Sequence, residues 1–322
     1  MEPAINRPKT ARGRVFNLIK ILVSVTFLAL LLSRVNAGQA LQLLADMDAG
    51  PFLVAVSLYV TGELVRSYRW GVLVWSLGIQ VRWRRLAALY FVGSFYNLVL
   101  PTGFGGDAVK VLELSRDAKA SSAISSVVVE RFSGLFVLFL LASLALAGSY
   151  QLVTAGVRWM ILVMTLLSLV AVALLVQRTW IERWGRTLHL DRLFGRFRIL
   201  RDLYQSLNLY SRRALAHATG AALLFNLMQI LANVLLARAV GIRLPVSYFF
   251  LFIPIVAFST TVPSLGGLGV REGAYVFLFS QVGVEHDRAL ALALARDLTL
   301  LAVGFIGVVI YVVQNALESR RR

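Results

Sequence analysis

The chain has 322 residues, 58% of them hydrophobic and only 15% charged, with a mean hydropathy of +0.75; soluble domains are about half apolar and about a quarter charged, so this composition excludes a water-soluble globule. The formal net charge is +17, but Lys and Arg fall mainly between apolar runs and on alternate sides of them, which is the imprint of orientation in a bilayer and not of nucleic-acid binding. With no cysteine, disulfides, thiol catalysis and thiolate-held metals are excluded, and His189, His217 and His286 are too scattered for a zinc site, so no metal or cofactor is expected.

In chain order, the first apolar stretch is Val15 to Leu32, which follows Arg7, Lys9, Arg12 and Arg14. Val35-Asn36-Ala37 loosely resembles a signal-peptidase site. The stretch is long enough to span, however, and retaining it makes every later loop obey the positive-inside rule, so it reads as an uncleaved signal anchor. A span needs about 20 apolar residues, and six segments qualify: roughly 15–33, 51–76, 122–147, 157–177, 214–238 and 290–313. Two others, 86–118 and 246–281, are each too short for two ordinary spans. Each is interrupted near its middle by proline followed by glycines, and both read as re-entrant hairpins or broken helices. The expected fold is all-α, a polytopic integral membrane protein forming a single domain over residues 1–322.

With a cytoplasmic N-terminus, Arg82, Arg84 and Arg85, then Lys110, Arg116 and Lys119, the Arg178 to Arg213 stretch and Arg320 to Arg322 all fall inside. The outer loops keep only Arg34, Arg158, Arg238, Arg243 and Arg288. This bias places both termini in the cytoplasm, with the chain in the plasma (inner) membrane. Residues 178–213 set Arg183, Arg186, Arg192 and Arg196 between Trp184, Leu193, Phe194 and Phe197. They read either as an amphipathic helix on the inner leaflet or as a solvated linker whose charge fixes topology.

The first break reads Asn97-Leu98-Val99-Leu100-Pro101-Thr102-Gly103-Phe104-Gly105-Gly106-Asp107. The second reads Pro263-Ser264-Leu265-Gly266-Gly267-Leu268-Gly269-Val270-Arg271-Glu272. Both place proline before Thr or Ser, then a Gly-Gly pair, then a charge. By the loop charges the first hairpin enters from the cytoplasmic side and the second from the outer side. Each lies between two long helices, so repeat 1 (about 51–147) and repeat 2 (about 214–313) form an inverted repeat. In transporters built this way the breaks meet near the midplane and half-helix N-termini turn their free N–H groups toward anionic substrate groups. The bland alternative is that Pro and Gly only bend tightly packed helices. The first glycine run lacks a Gly-Lys-Ser/Thr ending and follows no strand, which argues against a nucleotide P-loop.

Ionisable groups at membrane depth cost at least about 2 to 3 kcal/mol each, so each is a candidate site. Glu63, Arg66 and Arg69 recur at helical spacing, Glu130-Arg131 lies near the start of the 122–147 helix, Arg271-Glu272 follows the second glycine turn, and Arg296-Asp297 lies in the last helix. They point to a central cavity in which arginines bind a lipid phosphate while carboxylates hold those arginines or exchange protons. Internal pairing of Glu63 with Arg66 and of Arg296 with Asp297 is the competing reading. Arg66 and Arg69, toward the cytoplasmic end of their helix, are also placed to snorkel. Asn226, Gln229 and Asn233 share one helix face and either line the cavity or bond between helices.

With these motifs in hand, the chain resembles the lysylphosphatidylglycerol synthase transmembrane, or flippase-like, family. The residues that carry the resemblance are Asn97-x-x-Leu100-Pro101 with Gly105-Gly106-Asp107, Glu130-Arg131-x-x-Gly134, and Pro263-x-x-Gly266-Gly267-x-Gly269-x-Arg271-Glu272-Gly273. The resemblance implies a lipid-translocating domain. Some members are fused to a cytosolic synthetase that attaches an amino acid to phosphatidylglycerol, and others are associated with polyprenyl-linked sugars or hopanoids. Because this chain ends at Arg322, directly after the last helix, aminoacyl transfer is expected to be absent.

The leading expectation is movement of an anionic phospholipid or polyprenyl-phosphate lipid between leaflets. Arg131 and Arg271 engage the headgroup, and Asn97, Pro101, Gly105, Gly106, Asp107, Lys110, Glu130, Pro263, Gly266, Gly267 and Glu272 form the binding region. Glu63, Arg66, Asn226, Gln229, Arg296 and Asp297 line the cavity, and no residue is assigned a catalytic role. Two alternatives stay open: a membrane-embedded transferase using Asp107, Glu130 or Glu272 as base, and a noncatalytic partner of a lipid-modifying enzyme. Anionic membrane lipids are the expected partners, and nucleic acid is not.

Overall fold

A computed structural model describes residues 35–99, 105–176, 209–260 and 269–319. Among the described residues the chain forms ten α-helices, one short 3-10 turn and no strand. In order they are α1 (Ala37–Ala45), α2 (Ala49–Ser76), α3 (Trp83–Val99), α4 (Gly105–Leu114), α5 (Ala120–Gly148), α6 (Ala155–Val176), α7 (Arg212–Ala239), α8 (Val246–Ser259), α9 (Val270–Ser280) and α10 (His286–Ser319).

Local chemistry sets these bounds. The Asn36 side chain accepts from Gln39 N at 3.2 Å, Asp48 from Gly50 N at 2.9 Å and Ser211 from Ala214 N at 3.1 Å, satisfying orphan donors at the starts of α1, α2 and α7. Pro51 sits in the first turn of α2, where its missing N–H removes no helical bond. At the other end, α2 and α7 stop in the same way. Gly78 and Gly241 turn left-handed at φ +78° and +79°, and the Ile79 and Ile242 N–H groups reach back to Val74 O and Ala237 O.

Helices α2 and α7 run antiparallel in close contact, with Asp48 N donating to Ala239 O at 2.9 Å at one end. The packing is matched between the two halves of the chain. Exchanging α1 to α5 for α6 to α10 turns the α3/α10 packing into α8/α5, α4/α5 into α9/α10, α3/α4 into α8/α9, and α2/α3 into α7/α8. It likewise turns α2/α5 into α7/α10, α2/α10 into α7/α5, and α1/α10 into α6/α5. Two crossings are close enough to demand glycine. A Cβ on Gly106 would lie 2.2 Å from Gly93 O, and one on Gly307 would lie 2.1 Å from Phe91 O.

Helices α5 and α7 and the stretch His286–Gln314 of α10 are each long and apolar enough to cross a membrane, and α1 with α2 meets the same standard as a pair bent by 90°. Large apolar side chains such as Leu144, Trp159, Leu166 and Phe305 are exposed, as lipid-facing residues of a membrane protein are. Six spans were expected. The 15–33 segment and nearly all of 178–213 lie outside the described residues. On α2 the three charges Glu63, Arg66 and Arg69 interrupt the apolar run, and the apolar stretches in α6 (Ala155–Val170) and α8 (Val246–Ser259) are shorter. The short helix α1, set across the start of α2, was not anticipated. Its one sequence signal is the cap Asn36.

Replacing Gly307 by Ala forces backbone apart at the α3/α10 crossing, and a loss of about 1–3 kcal/mol is expected. Gly220→Ala, where nothing lies within 4 Å of the added Cβ, is expected to gain about 0.5–1 kcal/mol from helix propensity. Unfolding of the purified variants in detergent micelles, compared with wild type, measures both.

Candidate functional site

Glu130 on α5 is 1% exposed. Its Oε1 accepts from Arg69 Nη2 of α2 at 3.0 Å and from the Tyr90 hydroxyl of α3 at 2.5 Å, and its Oε2 accepts from Lys110 Nζ of α4 at 2.9 Å. One carboxylate therefore ties four helices together. Lys110 Nζ also lies 3.0 Å from Asp107 Oδ1 and 4.4 Å from the centre of the Tyr90 ring. The other Asp107 oxygen takes the Arg131 guanidinium. Gly134 makes room for this cluster, because a Cβ there would lie 2.9 Å from Arg69 Nη1. The Gly134 carbonyl is held by Asn226 Nδ2 of α7 at 3.1 Å.

The second half carries a counterpart with its charges exchanged. Arg271 on α9 donates from Nε and Nη2 to Glu272 Oε1 at 3.1 and 2.8 Å, and its Nη2 meets Asp297 Oδ1 of α10 at 2.8 Å as an ion-pair contact without aligned hydrogen-bond geometry. In the first half the acid is on the half-helix α4 and the base on the long helix α5. In the second half the base is on α9 and the acid on α10. Both half-helix starts are also capped from within: Gly106 N donates to Asn97 Oδ1 at 2.7 Å, and Gly269 N, in a left-handed turn at φ +81°, donates to Glu272 Oε2 at 2.6 Å. These two backbone donors, expected to face a substrate anion, are committed to protein acceptors.

Between the halves lies a cavity of about 300 Å³. Among the described residues its walls carry six cations, Arg66, Arg69, Lys110, Arg131, Arg271 and Arg296, against three carboxylates, Glu63, Asp107 and Glu130. Glu272 and Asp297 stand behind Arg271. Several buried polar atoms in this lining have no hydrogen-bond partner: Glu63 Oε2, Arg66 Nε, Arg69 Nε and Nη1, and Arg296 Nη1. Buried polar groups are rarely left so, and a wall of unsatisfied N–H donors is suited to an anion with several oxygens.

Measured against the sequence reading, Asn97, Asp107, Lys110, Glu130, Arg131, Arg271, Glu63, Arg66, Asn226, Gln229 and Arg296 all line this one cavity. Pro101, Pro263, Gly266 and Gly267 lie outside the described residues. Two readings are corrected. Arg69 does not snorkel: it is 4% exposed and bound to Glu130, an acceptor that attracts it more strongly than a route to the interface. Lys110, counted among the loop charges that set topology, is equally buried because α4 carries it inward onto Glu130 and Asp107. Of its two readings Asn233 takes the second, bonding between helices: it donates to the Tyr59 hydroxyl of α2 at 3.1 Å and accepts from the Tyr275 hydroxyl of α9 at 2.5 Å. The internal pairs are present, Glu63 with Arg66 at 3.1 Å and Arg296 with Asp297 at 3.6 Å. Asp107, Glu130 and Glu272 each receive a cation, which occupies the lone pairs a general base needs. The two rings over which Arg66 lies at 5.0 Å, Tyr90 and the cavity-lining Phe225, were missed, because a ring inside an apolar run gives no sequence signal that separates cavity from lipid.

The family model described as Lysylphosphatidylglycerol synthase TM region matches residues 17–307. A UPF0104 membrane protein of Pyrococcus horikoshii is 23% identical over 315 residues, covering 87% of this chain and 90% of the relative. A UPF0104 membrane protein of Methanothermobacter thermautotrophicus is 24% identical over 318 residues, covering 90% of this chain and 93% of the relative.

Glu130→Ala leaves Arg69 and Lys110 buried without their acceptor, and a loss of about 3–5 kcal/mol in unfolding free energy is expected. Glu113→Ala, which breaks a pair with the 72% exposed Arg116, is expected to cost at most about 1 kcal/mol. Denaturant titration in micelles distinguishes the two.

Proposed function

This chain belongs to the lysylphosphatidylglycerol synthase TM region family, and from that premise we propose that it carries lipids with anionic headgroups, phospholipid or polyprenyl-phosphate-linked, between the leaflets of the plasma membrane. The observation that carries the reading is the cavity itself. Six cations, against three carboxylates in its walls and two more behind Arg271, surround it between helices apolar enough to lie in a bilayer, and buried N–H donors of Arg66, Arg69 and Arg296 have no hydrogen-bond partner, which is costly at membrane depth unless an anion takes them.

A second feature favours a lipid over a soluble anion. Helices α2 and α7, which wall the charged cavity, also wall an apolar groove of about 510 Å³ lined by Leu64, Val65, Tyr68, Ala221 and Leu224. The groove shares no lining residue with the cavity, so it offers apolar tails a surface on the same helix pair and not a continuation of the headgroup site. The matched packing of α1 to α5 and α6 to α10 supports reading the halves as a repeat, and the antiparallel course of α2 and α7 supports an inverted one; six spans, two broken segments and both termini in the cytoplasm, as the loop charges favour, complete the proposal. In such a plan the cavity between the repeats opens by turns to each side.

Reconstitution of the full chain into liposomes with labelled phosphatidylglycerol tests the proposal. Leaflet exchange is expected to run faster than in protein-free liposomes, and Arg296→Ala is expected to slow it by about tenfold or more, the equivalent of one lost charge-assisted hydrogen bond. Labelled lipid that stays in its leaflet with wild-type protein, with and without a proton gradient, overturns it.

A further inference from the structure

The carboxylates of the cavity wall are not equivalent. Glu130 is saturated: both of its oxygens are occupied, by two cations and a tyrosine on three other helices. Asp107 likewise binds Lys110 through one oxygen and Arg131 through the other. Glu63 is different. It is 4% exposed, its Oε1 accepts from Arg66 Nη1 at 3.1 Å, and its Oε2 is buried with no partner. An ionised carboxylate oxygen left bare in such a place is costly, whereas a protonated one carries no charge to solvate.

Resting on the lipid reading of the cavity, we infer that Glu63 is a proton-binding site and that the cavity takes up an anionic headgroup together with a proton. The geometry gives the sequence of events. A proton from water adds to Glu63 Oε2, which neutralises the carboxyl and releases the Arg66 guanidinium from its ion pair. Arg66 then turns its donors, including the unpartnered Nε, to the headgroup phosphate, which Arg69 and Arg296 meet with their own unpartnered N–H groups. On release of the headgroup, Arg66 returns to Glu63 and the proton leaves to water. No bond other than O–H is made or broken, and charge is conserved at each stage, since one anion and one proton enter together.

Position favours Glu63 for this role. It lies one turn from Arg66 on the same helix, so the pair opens by side-chain rotation alone, whereas opening the Glu130 cluster detaches four helices at once. The charged and titratable groups that line the cavity with it from other elements are Lys110 and Asp107 of α4, Glu130 and Arg131 of α5, Arg271 of α9 and Arg296 of α10, and Tyr90 of α3 lies under the Arg66 guanidinium. The α7 residues on the cavity wall, Phe225, Asn226 and Gln229, do not titrate. Of these groups the nearby cations favour the charged carboxylate until an arriving phosphate offsets them, which links protonation to anion entry.

Isothermal titration of the full chain in micelles with dihexanoyl phosphatidylglycerol, in two buffers of different ionisation heat at each pH, counts the protons. Wild type is expected to take up about one proton per lipid bound, with affinity falling about tenfold per pH unit on the alkaline side. Glu63→Gln, which keeps the side-chain shape but cannot ionise, is expected to bind with no uptake and a flat pH profile. Wild type that binds lipid without taking up a proton overturns the inference and leaves the lipid reading standing, as does Glu63→Gln that takes up the same proton. Inorganic phosphate titrated in parallel separates headgroup from free anion: binding and proton uptake with phosphate alone keep the proton site and overturn the lipid reading. A wild-type protein that binds neither probe overturns both.

Discussion

A carboxylate cannot remain ionised in the middle of an apolar helix bundle without partners, and Glu130 obtains its partners from three other helices. That requirement organises the first half of the molecule. Arg69 must come from α2, so α5 presents a glycine rather than a side chain at position 134. Lys110 must come from α4, so α4 must approach α3 closely enough that Gly93 and Gly106 meet backbone to backbone. Small residues in membrane bundles often serve van der Waals packing alone. Here they let charges meet, and the cavity is the space left on the far side of that meeting.

The second half repeats the packing and inverts the chemistry. Its half-helix contributes Arg271 where the first contributes Asp107, and its long helix contributes Asp297 where the first contributes Arg131. An ion pair links half-helix to long helix in either polarity, so the mechanical role is kept. The amides Asn226 and Gln229 on α7 occupy the place that Glu63, Arg66 and Arg69 hold on α2. Of this pair of helices, α2 therefore carries the charge and α7 faces it with neutral hydrogen-bonding groups.

Much of the fold was legible in the sequence. The segments read as 51–76, 122–147, 157–177 and 214–238 lie within three residues of α2, α5, α6 and α7, because an apolar run ended by charge or by a left-handed glycine leaves little freedom in where a helix stops. The last helix was read short, 290–313 against His286–Ser319, since its polar ends carry no apolar signal. Most of the charged residues that line the cavity were named from their anomalous charge at membrane depth. Their partners were not, since nothing in a spacing of 20 or 61 residues joins Glu130 to Lys110 or to Arg69. Loop charge misled at Lys110, where a residue counted for its sign turns out to be placed for its contact.

Helix α10 runs for 34 residues, roughly 50 Å at 1.5 Å per residue, against a hydrocarbon core of about 30 Å. Such an excess is taken up by tilt or by protrusion. The crossing at Gly307 fixes α10 against α3 with no side chain to cushion it, and Arg296 and Asp297 ride on the same rod. Any change in its inclination is therefore transmitted to the arginine that faces the cavity, so the thickness of the surrounding bilayer becomes a mechanical input to the site.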